Sequence, residues 1–474
     1  MLNHGINTYK RPTAFNTVVT SDTGIPFFVG CWPCHTAGGF TGKPQLIETF
    51  EQAKKLGGYS SEWRDASGNP KWSLCQALYS QFQVFGVAPV VVYNIFNPAT
   101  HKSAVQASAM AVTDHIVKLP FDAIIDAGLS VENSSSELTK DTDYVAFYDN
   151  NNLVIELLES GSAYSATSLT IGYNAVSLTA INATAVEEAI NKIEDAKATL
   201  GIVPDLICVP GWSKVPAVAA VMATKAANIN GLFKGKAVVD LDSSASGADE
   251  YEDISAYKSA NGYDDENMIV CWPMAKIGDM LFDYSVIVCG KLSELDAEND
   301  CPYESPSNKA IPITACVNAA GKEISLTVQS GDVVSYANGV VTALNFNGWT
   351  VWGNYTGCWS DNKDVAECFI CTNRMLDFVC NTFARMFWEY VDRPLTRVLI
   401  DAIVNDFNSW LAGLAHDGKL YGGTIEYVES NNATEDLLAG KFRLDLTEAS
   451  PVPAQQINLY AEFDVELLAE SINA

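Results

Sequence analysis

Histidine is scarce in this chain. There are five in 474 residues, and His4, His35, His101, His115 and His416 fall into neither an H-x-x-x-H nor an H-E-x-x-H spacing, which removes the helical zinc-hydrolase pattern. No G-x-S-x-G occurs, so there is no nucleophile elbow. Basic residues are few, 29 against 57 acidic, and the formal net charge is -28. A field of that sign disfavours DNA, RNA and anionic membranes and keeps a free subunit soluble. No apolar run approaches the ~20 residues that span a bilayer. The opening residues Met1-Leu2-Asn3-His4-Gly5 have neither a basic nor an apolar stretch, so no secretory signal is read there and folding in a cytosol is expected. Carboxylates are abundant on any solvated face of so acidic a chain, and no glycosidase pair can be singled out among them.

What is present describes a packed globular protein: 48% hydrophobic and only 18% charged residues. The length suggests about three domains at ~150 residues each. Twelve cysteines are scattered through apolar stretches, which suits buried thiols in a reducing compartment better than a disulfide framework.

Along the chain, residues 2–24 are polar and turn-rich and read as an extended arm. A short apolar strand follows at 25–30. A helix is expected over 44–56, opened by Pro44 and closed by Gly57-Gly58. Another is expected over 73–85, then a strand at 89–93, an order that predicts an α/β layer. From about 118 to 183 the texture turns to short β-rich runs at 144–148, 153–158 and 169–173, with Asp149-Asn150-Asn151-Asn152 as a hairpin turn. We read this as a small inserted β domain. The α/β pattern resumes over 184–336. Thr184-Ala185-Val186-Glu187 has the form of a capping box, and strands are expected at 206–209, 237–241 and 268–271. A C-terminal unit, 337–453, carries helices over 376–390 and 394–414 and strands at 424–428 and 442–446. The second helix shows an apolar stripe of Leu395, Val398, Ile403, Phe407, Trp410, Leu411 and Leu414. The last segment, 454–474, alternates: Ile457, Leu459, Ala461, Phe463, Val465 and Leu467 are apolar. This predicts a strand over 457–467 with one greasy face and an edge that needs a partner.

Three motifs invite chemistry. Cys31-Trp32-Pro33-Cys34-His35 matches the C-x-x-C-H of haem attachment and resembles a thioredoxin-type pair. Haem attachment requires export, and a redox pair requires a helix start, whereas Gly38-Gly39 follow here. A cytosolic α/β thiol oxidoreductase using Cys31 and Cys34 is the alternative this motif leaves open. Cys368-Phe369-Ile370-Cys371 supplies at most half a zinc site. Ala37-Gly38-Gly39-Phe40-Thr41-Gly42-Lys43-Pro44 misses a P-loop, because Pro44 stands where a Ser or Thr would hold Mg²⁺. No catalytic, cofactor-binding or metal residue is assigned.

Several stretches taken in order resemble the tail sheath family of contractile phages and related injection particles. They are His4-Gly5-Ile6-Asn7-Thr8-Tyr9, Ile25-Pro26-Phe27-Phe28-Val29-Gly30, Ser305-Pro306-Ser307-Asn308-Lys309, Ala337-Asn338-Gly339-Val340-Val341-Thr342, Trp349-Thr350-Val351-Trp352-Gly353-Asn354-Tyr355-Thr356, Phe369-Ile370-Cys371-Thr372-Asn373-Arg374-Met375, and residues 439–463. The resemblance implies an α+β multidomain protein: an α/β sheath core with an inserted β domain and extended N- and C-terminal arms. It implies a non-enzymatic homo-oligomer without cofactor, stacked as six-fold rings into a helical sheath around an inner tail tube. Baseplate and tail terminator proteins are the further partners, with no direct nucleic-acid contact and no membrane insertion. The implied place is a virion tail, or the tail-like particle of a bacteriocin or injection system, assembled in a bacterial cytoplasm and contracting to drive the tube through an envelope. Ile6, Tyr9, Ile457, Leu459, Phe463 and Val465 are the expected inter-subunit arm contacts. Asp392, Arg397, Asp401 and Asp406 are the expected tube-facing residues.

Overall fold

The computed structural model describes residues 19–20, 23–149 and 151–473. Its centre is a six-stranded sheet in the order Met268–Cys271, Lys236–Asp240, Leu206–Cys208, Pro26–Gly30, Val90–Asn94, Gln45–Ile47. The first five strands run parallel, and Gln45–Ile47 is antiparallel at one edge. Parallel strands covered on both faces read as unbroken apolar runs. Phe27, Phe28, Val29, Ile207, Val238, Val239, Ile269 and Val270 are all fully buried.

The helix expected over 44–56 is shorter, Phe50–Gly57, because Thr49 caps it by accepting the Gln52 amide and the residues ahead of it form the edge strand. A β-carbon on Gly57 would lie 1.9 Å from the Trp32 ring, so only glycine lets this helix close onto the sheet. The box expected at Thr184 gives way to Asn182, whose side chain accepts the Ala185 amide at 3.1 Å and starts the helix at Ala183. The Tyr284–Asn299 helix is buried without a break from Tyr284 to Ser293. It has no polar face, so no amphipathic period announces it in the sequence.

A second core, around Leu119, Leu153, Ile155, Leu169 and Ile171, belongs to the β-rich stretch. This stretch takes in Lys102–Ala111, the long antiparallel partner of Ser168–Val176, ahead of the boundary read at 118. The Lys102–Ala111 strand is made largely of alanine and serine and is mostly solvent-exposed, which hides it from a reading based on β-branched residues. A third core joins the helices Ile370–Phe387 and Arg397–His416 to an antiparallel hairpin, Gly422–Glu426 with Asp445–Ala449. Val340, Val341, Ala343 and Val351 pack into the first core, so the boundary read at 337 runs through that core.

The strand expected over 457–467 is not formed. Residues 450–464 have no regular secondary structure, and Val465 and Leu467 lie in a helix, Val465–Asn473, none of whose residues is buried. Val465, Leu468, Ala469 and Ile472 recur at helical spacing, and a lone strand without a ladder partner has nothing to hold it extended.

Candidate assembly surface

The described body begins at a buried charge cluster. Arg374, on the Ile370–Phe387 helix, holds Asp296 with two nitrogens at 3.0 and 2.5 Å and reaches Asp205 at 3.5 Å. Asp205 accepts the Gly24 and Ile25 amides at 3.0 and 2.7 Å, and Ser293 donates to the Gly24 carbonyl. Burial pushes the Asp296 carboxyl up to about 6 even with the guanidinium against it. Beside this cluster, Lys236, almost fully buried, pairs with Asp377 at 2.6 Å. The cluster thus fastens Gly24 and Ile25, the first core and the third core to one another. Ile6 and Tyr9 lie outside the described residues.

The Trp349–Trp352 strand leads into a stack of rings. Tyr355 lies parallel to Trp359 at 3.9 Å and near-parallel to Phe369 at 5.0 Å. Gly353, with φ +130°, has no room for a β-carbon beside Val341, and Lys258 donates to the carbonyls of Asn338 and Trp359, both at 2.7 Å. Onto this platform comes Gln455. Its carbonyl accepts the Tyr355 hydroxyl at 2.8 Å, and its amide donates to Asn354 at 2.9 Å. Past that clip the chain leaves the body: Ile457, Leu459, Tyr460 and Phe463 are 89, 90, 93 and 74% exposed. Apolar side chains exposed at that density make this segment a candidate interaction surface.

The Arg397–His416 helix is capped by Thr396 and buries Ile400, Ile403, Phe407 and Leu411. Val398, read as part of the apolar stripe, is 78% exposed, because burial is set by the narrower 400/403/407/411 repeat. Arg397 pairs with Asp401 at 2.9 Å and lies over the Tyr427 ring. Asp392 and Asp406 are exposed. Asn408 on this helix grips the hairpin: its amide donates to the Ile425 carbonyl at 3.0 Å, and its carbonyl accepts the Ile425 amide at 2.7 Å. Sequence gave no sign of this asparagine's role, nor of those of Gln455 and Arg374, because each role depends on contacts distant along the chain.

The chemistry-bearing motifs are structural. Cys31 and Cys34 are buried, burial pushes both thiols up, Cys34 to about 11, and the Asn94 amide contacts the Cys34 sulfur at 3.3 Å. Neither supplies the thiolate that exchange chemistry needs, which overturns the oxidoreductase alternative. His35 bonds the Phe121 carbonyl at 3.0 Å among the rings of Trp72, Phe96, Phe121 and Tyr148, and burial lowers its pKa. Cys368 and Cys371 are buried thiols, each pushed up to about 11 by burial. The glycine-rich stretch before Lys43 precedes a strand and not a helix, so no helix N-terminus faces a phosphate there.

No family model matches the chain. It is 20% identical, over 98% of its length and 97% of theirs, to the tail sheath protein of Burkholderia phage BcepMu. It is 24% identical to the tail sheath protein of Escherichia phage P2 over 59% of this chain and 68% of that one. Among solved structures it is similar to a chain of the anti-feeding prophage baseplate, at TM-score 0.61 and 14% identity over 98% of this chain and 100% of that one. It is also similar to the sheath of an extracellular contractile injection system in the contracted state, at TM-score 0.59 and 13% identity over 98 and 99% of the two chains. The structural likeness is one of fold.

Proposed function

We infer that this chain is a contractile tail sheath protein, a subunit of the kind found in phage tails and contractile injection systems. A tail sheath subunit is structural and not an enzyme. In our reading, copies stack as six-fold rings into a helical tube around an inner tail tube, bounded by baseplate and terminator proteins. Their place is a virion tail or tail-like particle. The observation that carries this is the C-terminal segment, clipped to the body at Gln455 and then exposed through Ile457, Leu459 and Phe463. Such a segment supports linkage by exchange, in which backbone bonds give strength and alternate side chains fix register. Head-to-tail contacts that do not close on themselves generate a tube. Because the arms are continuous with the body, subunits rotate past one another during contraction without separating. The driving energy is a difference in contacts between two packings, held back by a barrier.

Negative-stain microscopy of the purified full chain tests this. Hollow tubes are expected, and deletion of residues 454–474 abolishes them while leaving a folded subunit. Tubes of ordinary length from the truncated chain would overturn the linkage.

Asp392 and Asp406 are the strongest tube-facing candidates of the four, since Arg397 and Asp401 satisfy each other. Reversing both charges to lysine is expected to leave free sheath assembly intact and to prevent co-assembly on purified tube. Unchanged co-assembly would remove this face from the tube contact.

A further inference from the structure

The β-rich stretch meets the first core at a joint that holds two of the chain's five histidines. His35 and His101 both pack on the fully buried Phe96 ring, at 5.7 and 6.2 Å. Across the joint, His35 bonds the Phe121 carbonyl at 3.0 Å and packs with the rings of Phe121 and Tyr148, both at 5.5 Å. Beside it, Lys71 reaches over to Asp122 at 2.8 Å and back to Glu62 at 2.9 Å. His101 closes the turn through which the chain enters the stretch, its amide donating to the Asn97 carbonyl at 2.8 Å. Its own carbonyl accepts the amide of Ser177, where the chain leaves, at 3.0 Å.

Both rings are neutral because of where their hydrogens sit. A carbonyl can only accept, so His35 Nε2 carries the hydrogen and a second proton has to go to Nδ1. That nitrogen is sealed from solvent and has no partner among the described residues. In His101 it is Nδ1 that accepts, from the Asn97 amide at 3.0 Å, so a proton placed there meets another N–H head-on. Burial lowers both imidazoles. For His35 the Phe121 carbonyl and Asp122 pull the other way, and Lys71 pulls with burial. Cys34 and Tyr148, the other titratable groups beside His35, are pushed up by burial and stay neutral in acid. Lys102, next to His101, is engaged with Asp126 at 2.6 Å.

We propose that His35 and His101 make this joint an acid-released hinge, which frees the β-rich stretch from the first core when the two rings take up protons, while the six-stranded sheet stays folded. In the closed joint both rings are neutral. In the open joint they meet water and titrate at the ordinary ~6.5. Below that value the open form binds protons that the closed form refuses, so the balance moves toward opening as pH falls. A ring whose pKa differs by about one unit between the two forms changes the opening constant by up to ~10-fold, and the effects of two rings multiply. The hinge belongs to the single subunit and is independent of the sheath reading above.

Hydrogen exchange of the full chain at about pH 7.5 and about pH 5, read by mass spectrometry and corrected for the intrinsic pH dependence, tests this. The joint segments 33–37, 97–101 and 120–124 are expected to exchange at least ~10-fold faster at the lower pH. The sheet strands Leu206–Cys208 and Lys236–Asp240 are expected to hold. His35→Gln keeps a donor for the Phe121 carbonyl, His101→Asn keeps an acceptor for the Asn97 amide, and neither takes up a proton. The double variant is expected to exchange alike at both pH values, and each single variant to show a smaller rise than the parent. A rise in the double variant as large as in the parent assigns the effect to other groups, the Lys71–Asp122 pair among them, and overturns the proposal. A parent joint that exchanges alike at both values overturns it too, as does a sheet that opens together with the joint. The parent reading needs no variant, so it decides even where a substitution prevents folding.

Discussion

Asp240 carries a cost that the fold accepts in order to position two serines. Its carboxylate takes the Ser285 amide at 2.7 Å and hydroxyls from Ser285 and Ser213 at 2.5 and 2.9 Å. These bonds lock the buried Tyr284–Asn299 helix to the end of the Lys236–Asp240 strand. Burial, and secondarily the charge of Asp283, nonetheless pushes the carboxyl from 3.8 up to about 7. The unfolded chain gives up this proton near 3.8 and the folded chain holds it until about 7. Across that window the native state binds the extra proton, and stability falls as pH rises. Asp240→Asn removes this contribution. The variant is expected to gain on its parent in urea midpoint at pH 8, with a ceiling of roughly 4 kcal/mol from ~1.36 kcal/mol per pKa unit. The advantage should shrink toward pH 5. A variant that loses equally at both values would mean that the hydrogen bonds, not the charge, decide this site. Arg374 is the opposite case: it is charged at any working pH and holds Asp296 and Asp205, so the residue is fixed in place by two carboxylates and not titrated out of it.

At the scale of elements, what the sequence made legible follows from how each element buries itself. The parallel strands at 26–30, 206–208 and 268–271 are covered on both faces and stand out as apolar runs. The Arg397–His416 helix is amphipathic and capped, so its existence and its core side could be read, though Val398 could not be told from Ile400. Lys102–Ala111 was illegible because small residues pair well on an exposed ribbon without any β-branched signature. The tail was misread over 457–467: its period of two has no ladder partner to hold it extended, and at Val465 it runs into the helical set Val465, Leu468, Ala469 and Ile472. The apolar alternation of the exposed C-terminal segment was legible, and the contact of Asn408 with the hairpin was hidden. Alternation is a local pattern, whereas the grip of Asn408 on Ile425 spans 17 residues and a turn of chain. Asn408→Ala leaves the Ile425 amide and carbonyl without partners, a loss of about 1–3 kcal/mol for the buried donor. Faster exchange of the Ile425 amide in the subunit is the expected reading. Unchanged protection there would show that the edge is sealed by packing alone.

For the whole molecule, charge sets the conditions under which such contacts can form. Each copy carries a formal -28, so stacking copies into a tube brings like fields together, and that repulsion opposes association at long range. In the assembly proposed above, the groups that favour association are apolar, the exposed Leu459 and Phe463 among them. Salt weakens the first effect and leaves the second nearly untouched, since the screening length falls from ~30 Å at 0.01 M to ~8 Å at 0.15 M. The critical concentration for tube formation, followed by light scattering of the purified chain, is therefore expected to fall as NaCl rises, most steeply below about 0.15 M, where screening changes fastest. A critical concentration that rises with salt would mean that ion pairs between copies outweigh the repulsion between bodies. Assembly would then be steered by charge and only finished by apolar burial.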